Sequence, residues 1–404
     1  MAKQPLEGIH VADFTWLVVG PVVSRYLAHH GATVVHVESR TAYDVVRSVG
    51  PYAGGKPGLN RSGFFNNFNT GKLGLTLNLR DPKARPVVEK LVQWADVVVD
   101  NFTPGTMGRL GLGYDDLVKI RPDVIAIGAS SAGQYGPNAR LPAVGVGLAA
   151  MAGFGVLTGW PDRDPAVPYG AYTDMICPRF GAALVVAALD YRRRSGKGQF
   201  LDLAQLESAI QFLAPVMLDY TVNGRVEKRA GNRSSRACPH GAYRCKGQDR
   251  WCAIAVRNDE EWQALCQVMS NPGLATDARF ATTLGRMEHE TELDQLIESW
   301  TAGQSAEEVM YSLQAAGVPA GVVETNEDLF KDPQLQHRQH FWFLDHSETG
   351  RKAYDGPCFK MSSTPGEVTL PGPCIGEHTE YVCTQLLGLS DEEFVEYLAE
   401  GIFE

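Results

Sequence analysis

Two short apolar runs, Ile9–Thr15 (IHVADFT) and Thr33–Glu38 (TVVHVE), flank a helix-patterned stretch, Gly20–Gly31, that closes on glycine. A buried strand, a helix and a second buried strand in so little chain predict parallel strands joined by a right-handed crossover. The pattern recurs: helix Lys83–Trp94 leads into strand Asp96–Asp100, and helix Asp115–Ile120 into strand Asp123–Ala129. Such alternation predicts an α/β fold with a Rossmann-like open parallel sheet. A long apolar helix from about Pro178 to Arg194, a strand at Gln199–Leu203 and a helix over Ser208–Asn223 extend it. Proline fits best at the first position of a helix, which puts Asp174 in the lead-in just before the long one. His29 and His30 fall at a helix end, where partial positive charge offsets the dipole, and carry no expected chemistry.

Composition shifts near Gly224. Beyond it come short strands (Ala242–Arg244, Trp251–Val256) and polar helices (Asp259–Met269, Glu288–Thr301, Ala306–Ala316), which predict a smaller α+β domain. The tail returns to Gly/Pro-rich segments and a final helix, Asp391–Ala399.

A chain of 404 residues, 44% hydrophobic, is long enough for two domains with sizeable cores. Its formal charge of −10, with only Tyr191–Arg194 forming a basic run, argues against a nucleic-acid partner. Eight cysteines without a CxxC pair suit a reducing cytosol. The N-terminus shows no secretion signal, and the apolar stretch Ala143–Gly159 is shorter than a membrane span and interrupted by five glycines. The expectation is a cytoplasmic protein without a membrane partner.

Several familiar motifs fail on spacing. Dinucleotide binding, with Glu38 as the ribose ligand, would need three close glycines where Gly20 and Gly31 stand alone. Gly128-Ala-Ser-Ser-Ala-Gly133 is GxSxxG rather than the GxSxG of a hydrolase elbow, so Ser130 and Ser131 are expected to line a turn or donate to a ligand. Cys238, His240, Cys245 and Cys252 match no zinc spacing and are expected to be strand-borne structural residues, leaving no metal site.

Asp174 is different. It is a lone acid in Pro168–Gly181 that follows a glycine-rich apolar stretch and opens the long helix. Asp in such a place often caps the helix. A carboxylate kept away from cations can instead attack carbonyl carbon.

Taken in order, several segments resemble the class III coenzyme A transferases, the family of formyl-CoA transferase, carnitine CoA-transferase and alpha-methylacyl-CoA racemase. They are Leu6–Thr15 with Gly20-Pro21, Phe68–Lys72 with Leu75–Leu79, Ala95–Gly105 with Arg109-Leu-Gly111, and Ser131–Pro137. Asp174, Gly196-Lys-Gly-Gln199, Ala316–Gly321 and Ser363-Thr-Pro365 complete the set, which covers nearly the whole chain.

The resemblance implies a sheet domain built from both chain ends: residues 1–224, a small domain over 225–325, and a return over 326–404. It implies an interlocked homodimer, or a heterodimer with a paralogous subunit. It makes Asp174 the nucleophile, passing through a mixed anhydride and an aspartyl-CoA thioester, with acyl-CoA and a carboxylic acid as substrates and no permanently bound cofactor. It maps CoA contacts onto Arg40, Leu77, Arg80 and Arg109, with Leu17 and Val18 from the loop after the first strand. Ala237–Tyr243 is the segment expected to help hold the oxyanions.

Two departures shape the substrate expectation. Where racemases of the family carry a histidine, this chain has Val144 or its small neighbours, which disfavours but does not remove the racemase or epimerase alternative. Ala143–Val146 and Trp16–Val19 are apolar, which points to an acceptor greasier than oxalate, such as benzylsuccinate, with succinyl-CoA as donor. A silent CoA-binding subunit is the third alternative.

Overall fold

Six parallel strands form the central sheet: β1 (His10–Asp13), β2 (Thr33–Glu38), β3 (Leu73–Thr76), β4 (Val97–Asp100), β5 (Ile125–Ser130) and β6 (Gln199–Ala204). Their order is β3-β2-β1-β4-β5-β6. The coordinates are a computed structural model in which residues 4–404 are described. Because side chains alternate across a strand, each strand feeds two cores. Val11, Val34, Val97, Val99, Ile125 and Ile127 face helices Val19–Ala28 and Tyr172–Ser195. Ala12, Val35, Val98 and Ala126 face helix Arg85–Trp94 and the chain end, through Leu387, Ile402 and Phe403. Burial on both faces explains why the strands read as continuous apolar runs. Helices on opposite faces flank the β1–β4 junction, so a crevice opens outside the carboxyl ends of these two strands.

A buried set of charges ties these ends together. Asp13 is fully buried at the end of β1, and its Oδ2 accepts from Ser24 Oγ (2.7 Å), Lys72 Nζ (2.8 Å) and His36 Nδ1 (3.3 Å). Burial alone would raise the carboxyl, but Lys72 and His36 beside it hold it well below the usual carboxylate range. Glu38, at the end of β2, receives the fork of buried Arg47, which reaches on to the Pro373 carbonyl (3.1 Å). The residue considered for ribose binding is therefore committed to an internal ion pair.

The second unit comprises Gly155–Ala166 and Val226–Pro333; the first takes in the chain up to Phe154, Val167–Arg225 and Gln334–Glu404. Strands β7 (His240–Arg244), β8 (Trp251–Ala255) and β9 (Ala320–Val322) form its antiparallel sheet. Its core gathers Trp262, Leu265, Leu293, Ile297 and Val309 around buried Cys238, Cys245 and Cys252. His240 Nδ1 pairs with the Asn232 carbonyl (2.5 Å), and no cluster suited to a metal occurs among the described residues.

Four local expectations are corrected. The long helix begins at Tyr172, with Pro178 inside it and Asp174 in its first turn. Proline there removes the N–H that would bond the Asp174 carbonyl, a local cost that packing of the helix overrides. The expected helix over Ser208–Asn223 is two helices, Gln205–Ile210 and Ala214–Asn223, joined by a 3₁₀ turn beside Pro215. His29 is buried against Thr70 Oγ1 (2.9 Å), and burial first, then Arg25, pushes its pKa well down, so it is no dipole-offsetting cation. A hairpin, β10 (Phe341–His346) and β11 (Gly350–Asp355), occupies the tail, its alternation masked by the flanking Gly/Pro segments.

Helix Tyr172–Ser195 is also the one described helix long and apolar enough to cross a membrane by length and composition, though 39% of that window is buried within the chain. The apolar stretch singled out from sequence, Ala143–Gly159, folds as two short helices instead.

Lys72→Met should lower the unfolding free energy by about 3–5 kcal/mol, because it leaves the Asp13 charge buried without its cation. Urea denaturation of the whole chain measures this.

Candidate active site

The crevice holds a cavity of about 580 Å³. Its walls come from the loop after β1 (Leu17, Val18, Val19), the segment after β4 (Asn101–Pro104), the end of β5 (Ala129–Ser131), residues 141–146, Asp174 and Gln205. Two side chains clamp the first of these loops. Asn101 Oδ1 accepts from Trp16 N (2.9 Å) while its Nδ2 donates to Trp16 O (2.7 Å). Asp44 Oδ1 accepts from Leu17 N (3.0 Å) and Val46 N (3.0 Å). Leu17 sits at φ 67°, a left-handed conformation that costs a non-glycine residue about 1–3 kcal/mol and persists where its surroundings enforce it. Asp44 supplies that enforcement and is itself buried, which pushes its pKa up to about 6 against the two backbone N–H groups.

Asp174 does not cap its helix; the cap residue is Ala171, which makes no side-chain cap bond. Its Oδ1 instead accepts from Gln205 Nε2, which also donates to Thr173 Oγ1 (3.1 Å). Thr173 Oγ1 donates in turn to the Gly145 carbonyl (3.2 Å). Burial pushes the Asp174 pKa up to about 6, and the Gln205 hydrogen bond works the other way. Among the described residues no Lys, Arg or His lines the cavity, so none of them sets a neutralising cation against the carboxylate. Gly145 is required by space: a Cβ there would lie 2.7 Å from both Asp174 oxygens. Ser130 is 4% exposed, and its Oγ is buried without a partner at the end of β5.

The structure brings Leu17, Val18 and Asp174 onto one cavity. Arg80 lines a second, of about 290 Å³, with Leu79, Pro82, Arg85 and Leu110. Arg40 is exposed directly after β2. Arg109 is exposed at the end of helix Thr106–Arg109, its Nη2 on Thr106 Oγ1 (2.8 Å). A Cβ on Gly105 would meet Arg109 Nη1 at 3.6 Å and Arg140 Nη2 at 3.9 Å, so two guanidinium groups flank this glycine. Leu77, the residue after β3, packs its side chain into the core at 1% exposure. Ala237–Tyr243 belongs to the second unit. Sequence reasoning missed Gln205, Asn101 and Asp44. The available signal was a polar residue directly after a parallel strand, which holds for Gln205 and Asn101.

A carboxylate in an apolar cavity at the switch point of a parallel sheet suits covalent acyl chemistry. The model of CoA-transferase family III matches residues 6–379. The chain belongs to CoA-transferase family III. It is 32% identical to the succinyl-CoA–D-citramalate CoA-transferase of Chloroflexus aurantiacus, over 99% of this chain and 98% of that protein. It is 29% identical to the succinyl-CoA:glutarate CoA-transferase of Mus musculus, over 100% and 91%. Among solved structures, a CAIB/BAIF family protein from Brucella suis superposes with a TM-score of 0.87 and 29% identity, over 95% of this chain and all of that one. The enzyme is thus a CoA-transferase, and CoA thioesters are its class of substrate.

Gly145→Ala should displace the Asp174 carboxylate and overpack its turn, lowering stability by about 1–3 kcal/mol. Thermal unfolding reads the loss, and Gly147→Ala, where a Cβ would meet nothing within 4 Å, serves as the control.

Proposed function

We propose that this enzyme moves CoA from succinyl-CoA to a carboxylic acid bearing an apolar substituent, with Asp174 as nucleophile. The observation that carries the reading is the Asp174 carboxylate, set in an apolar cavity, held by an amide and left without a cation. The Asp174 carboxylate attacks the thioester carbonyl; the C–S bond breaks and CoA thiolate leaves an acyl-aspartyl anhydride. Thiolate attack on the aspartyl carbonyl then releases succinate and leaves an aspartyl-CoA thioester. The acceptor carboxylate attacks that thioester, forming a second anhydride, and thiolate attack on the acceptor carbonyl frees Asp174. Thioester energy is conserved throughout.

Two relatives named above are succinyl-CoA-dependent, which supports the donor. Val49, Phe64, Phe102, Leu141, Val144 and Val146 on the cavity wall support an aryl- or alkyl-substituted succinate such as benzylsuccinate as acceptor. No resident cofactor is required by this chemistry. For CoA, the exposed guanidinium groups of Arg40, Arg80 and Arg109 suit its phosphates. Exposed Leu184, Val186, Met217, Leu218 and Val222 on helices Tyr172–Ser195 and Ala214–Asn223 are surfaces that a dimer would cover.

Exchange of labelled succinate into succinyl-CoA tests the donor half without knowledge of the acceptor. Exchange, with a hydroxylamine-sensitive CoA adduct lost in Asp174→Ala, is the expected result; an adduct that survives this substitution overturns the nucleophile. In a competition among benzylsuccinate, glutarate and citramalate, preference for either of the latter two overturns the acceptor.

The pH profile follows from the raised carboxyl. Asp174 must be ionised to attack, so kcat/KM should plateau above the Asp174 pKa of about 6 and fall as pH drops through it.

A further inference from the structure

Gln205 follows β6 directly and opens helix Gln205–Ile210. Its side chain is 6% exposed, and which way its amide points is settled by its neighbours. Thr173 spends its hydroxyl proton on the Gly145 carbonyl, so its oxygen can only accept from Gln205. An ionised Asp174 likewise has only lone pairs to offer. Both partners demand the nitrogen, and the two amide hydrogens match them one to one. Among the described residues no other side chain donates to Asp174.

We propose that Gln205 is a positioning residue: its amide, locked by Thr173 and Gly145, holds Oδ1 of Asp174 and leaves Oδ2 free to attack the thioester carbonyl. The proposal rests on Asp174 as nucleophile. Without the donor, the carboxylate gains rotational freedom about χ2 and loses its one compensating hydrogen bond in a buried setting, so both its aim and its ionised form suffer.

Among the described residues no other charge close by would take over. Residues 145–151 (GVGLAAM) and β5 carry no titratable side chain, and Glu207 on the Gln205 helix is exposed. The Cys177 thiol lies nearby, but burial pushes it up to about 12, so it stays neutral. Arg179 donates to the Met175 carbonyl, Arg25 to the Asn67 carbonyl (2.7 Å), and Asp202 on β6 accepts from Gln134 N (3.1 Å). Tyr26, on the same helix as Arg25, is pushed further up by burial and remains neutral.

The test combines two readouts on the full chain: carbodiimide labelling of Asp174 against pH, read by peptide mass spectrometry, and the succinate–succinyl-CoA exchange. Gln205→Leu keeps the volume and removes the donor. It should raise the labelling midpoint by roughly one pH unit. Its exchange kcat should fall about 10- to 100-fold while the KM for succinyl-CoA stays within twofold. Gln205→Glu, closer in shape, sets carboxylate against carboxylate and should raise the midpoint further, and it stands in if the leucine variant misfolds. An unchanged midpoint and a kcat within twofold in either folded variant overturn the proposal. Exchange that persists in Asp174→Ala overturns the nucleophile reading instead, while the labelling midpoints still decide whether Gln205 holds the carboxylate.

Discussion

The Asp13–Lys72 contact is the constraint on which the site geometry depends. One carboxylate oxygen at the end of β1 collects Ser24 from the following helix, His36 from β2 and Lys72 from the approach to β3. Lys72 is fully buried and finds its remaining order in Asn69 Oδ1 (2.7 Å). A charge pair inside a protein is poor evidence for net stability, because desolvation offsets attraction. Its value here is geometric: three segments distant in sequence must converge for any of these charges to be tolerated. The same carboxylate accepts from Thr15 N (3.0 Å), which sets the start of the loop that carries Leu17 and Val18 to the cavity.

Buried and half-buried acids around the crevice fall into two groups, and the presence of a cation separates them. Asp13 and Glu38 have cationic partners and are held below their usual range despite burial. Asp174, Asp44 and Asp100 receive only neutral donors, and burial pushes them up to about 6, 6 and 7. Raising a carboxyl this way makes its ionised form more basic, which suits a nucleophile as long as the working pH exceeds the pKa. Asp44 uses the same environment differently, spending its lone pairs on backbone N–H groups that hold Leu17 in a strained conformation.

Much of this was legible in the sequence. Four of the five strands in the first 130 residues, all but β3, follow from apolar runs of strand length, and the final helix Asp391–Ala399 begins with a Ser390 capping box visible as Ser-x-x-Glu. Asp174 stood out because its surroundings carry so little charge. The failures share a cause, which is long-range contact. Pro178 signals a helix start by local preference, yet packing carries the helix six residues further back. Hairpin Phe341–Asp355 is secured in part by Asn67, whose Nδ2 donates to Asp355 Oδ2 (2.9 Å) across 288 residues. Gln205 is polar in an otherwise unremarkable helix start, and nothing local says that its amide meets Asp174, 31 positions earlier.

The sequence by itself determined the chemistry available: a parallel sheet from strand–helix alternation, an isolated carboxylate, arginines in loops after strands and no cation in the apolar segment 141–146. These depend on residue type and short-range spacing, which a linear chain displays in full. Only the tertiary structure decided which groups meet. It set Leu17 against the cavity, gave Glu38 to Arg47, and placed Gln205 on the Asp174 carboxylate. Strand order and crossover length bring such partners together, and neither is written in the residues on either side of a contact.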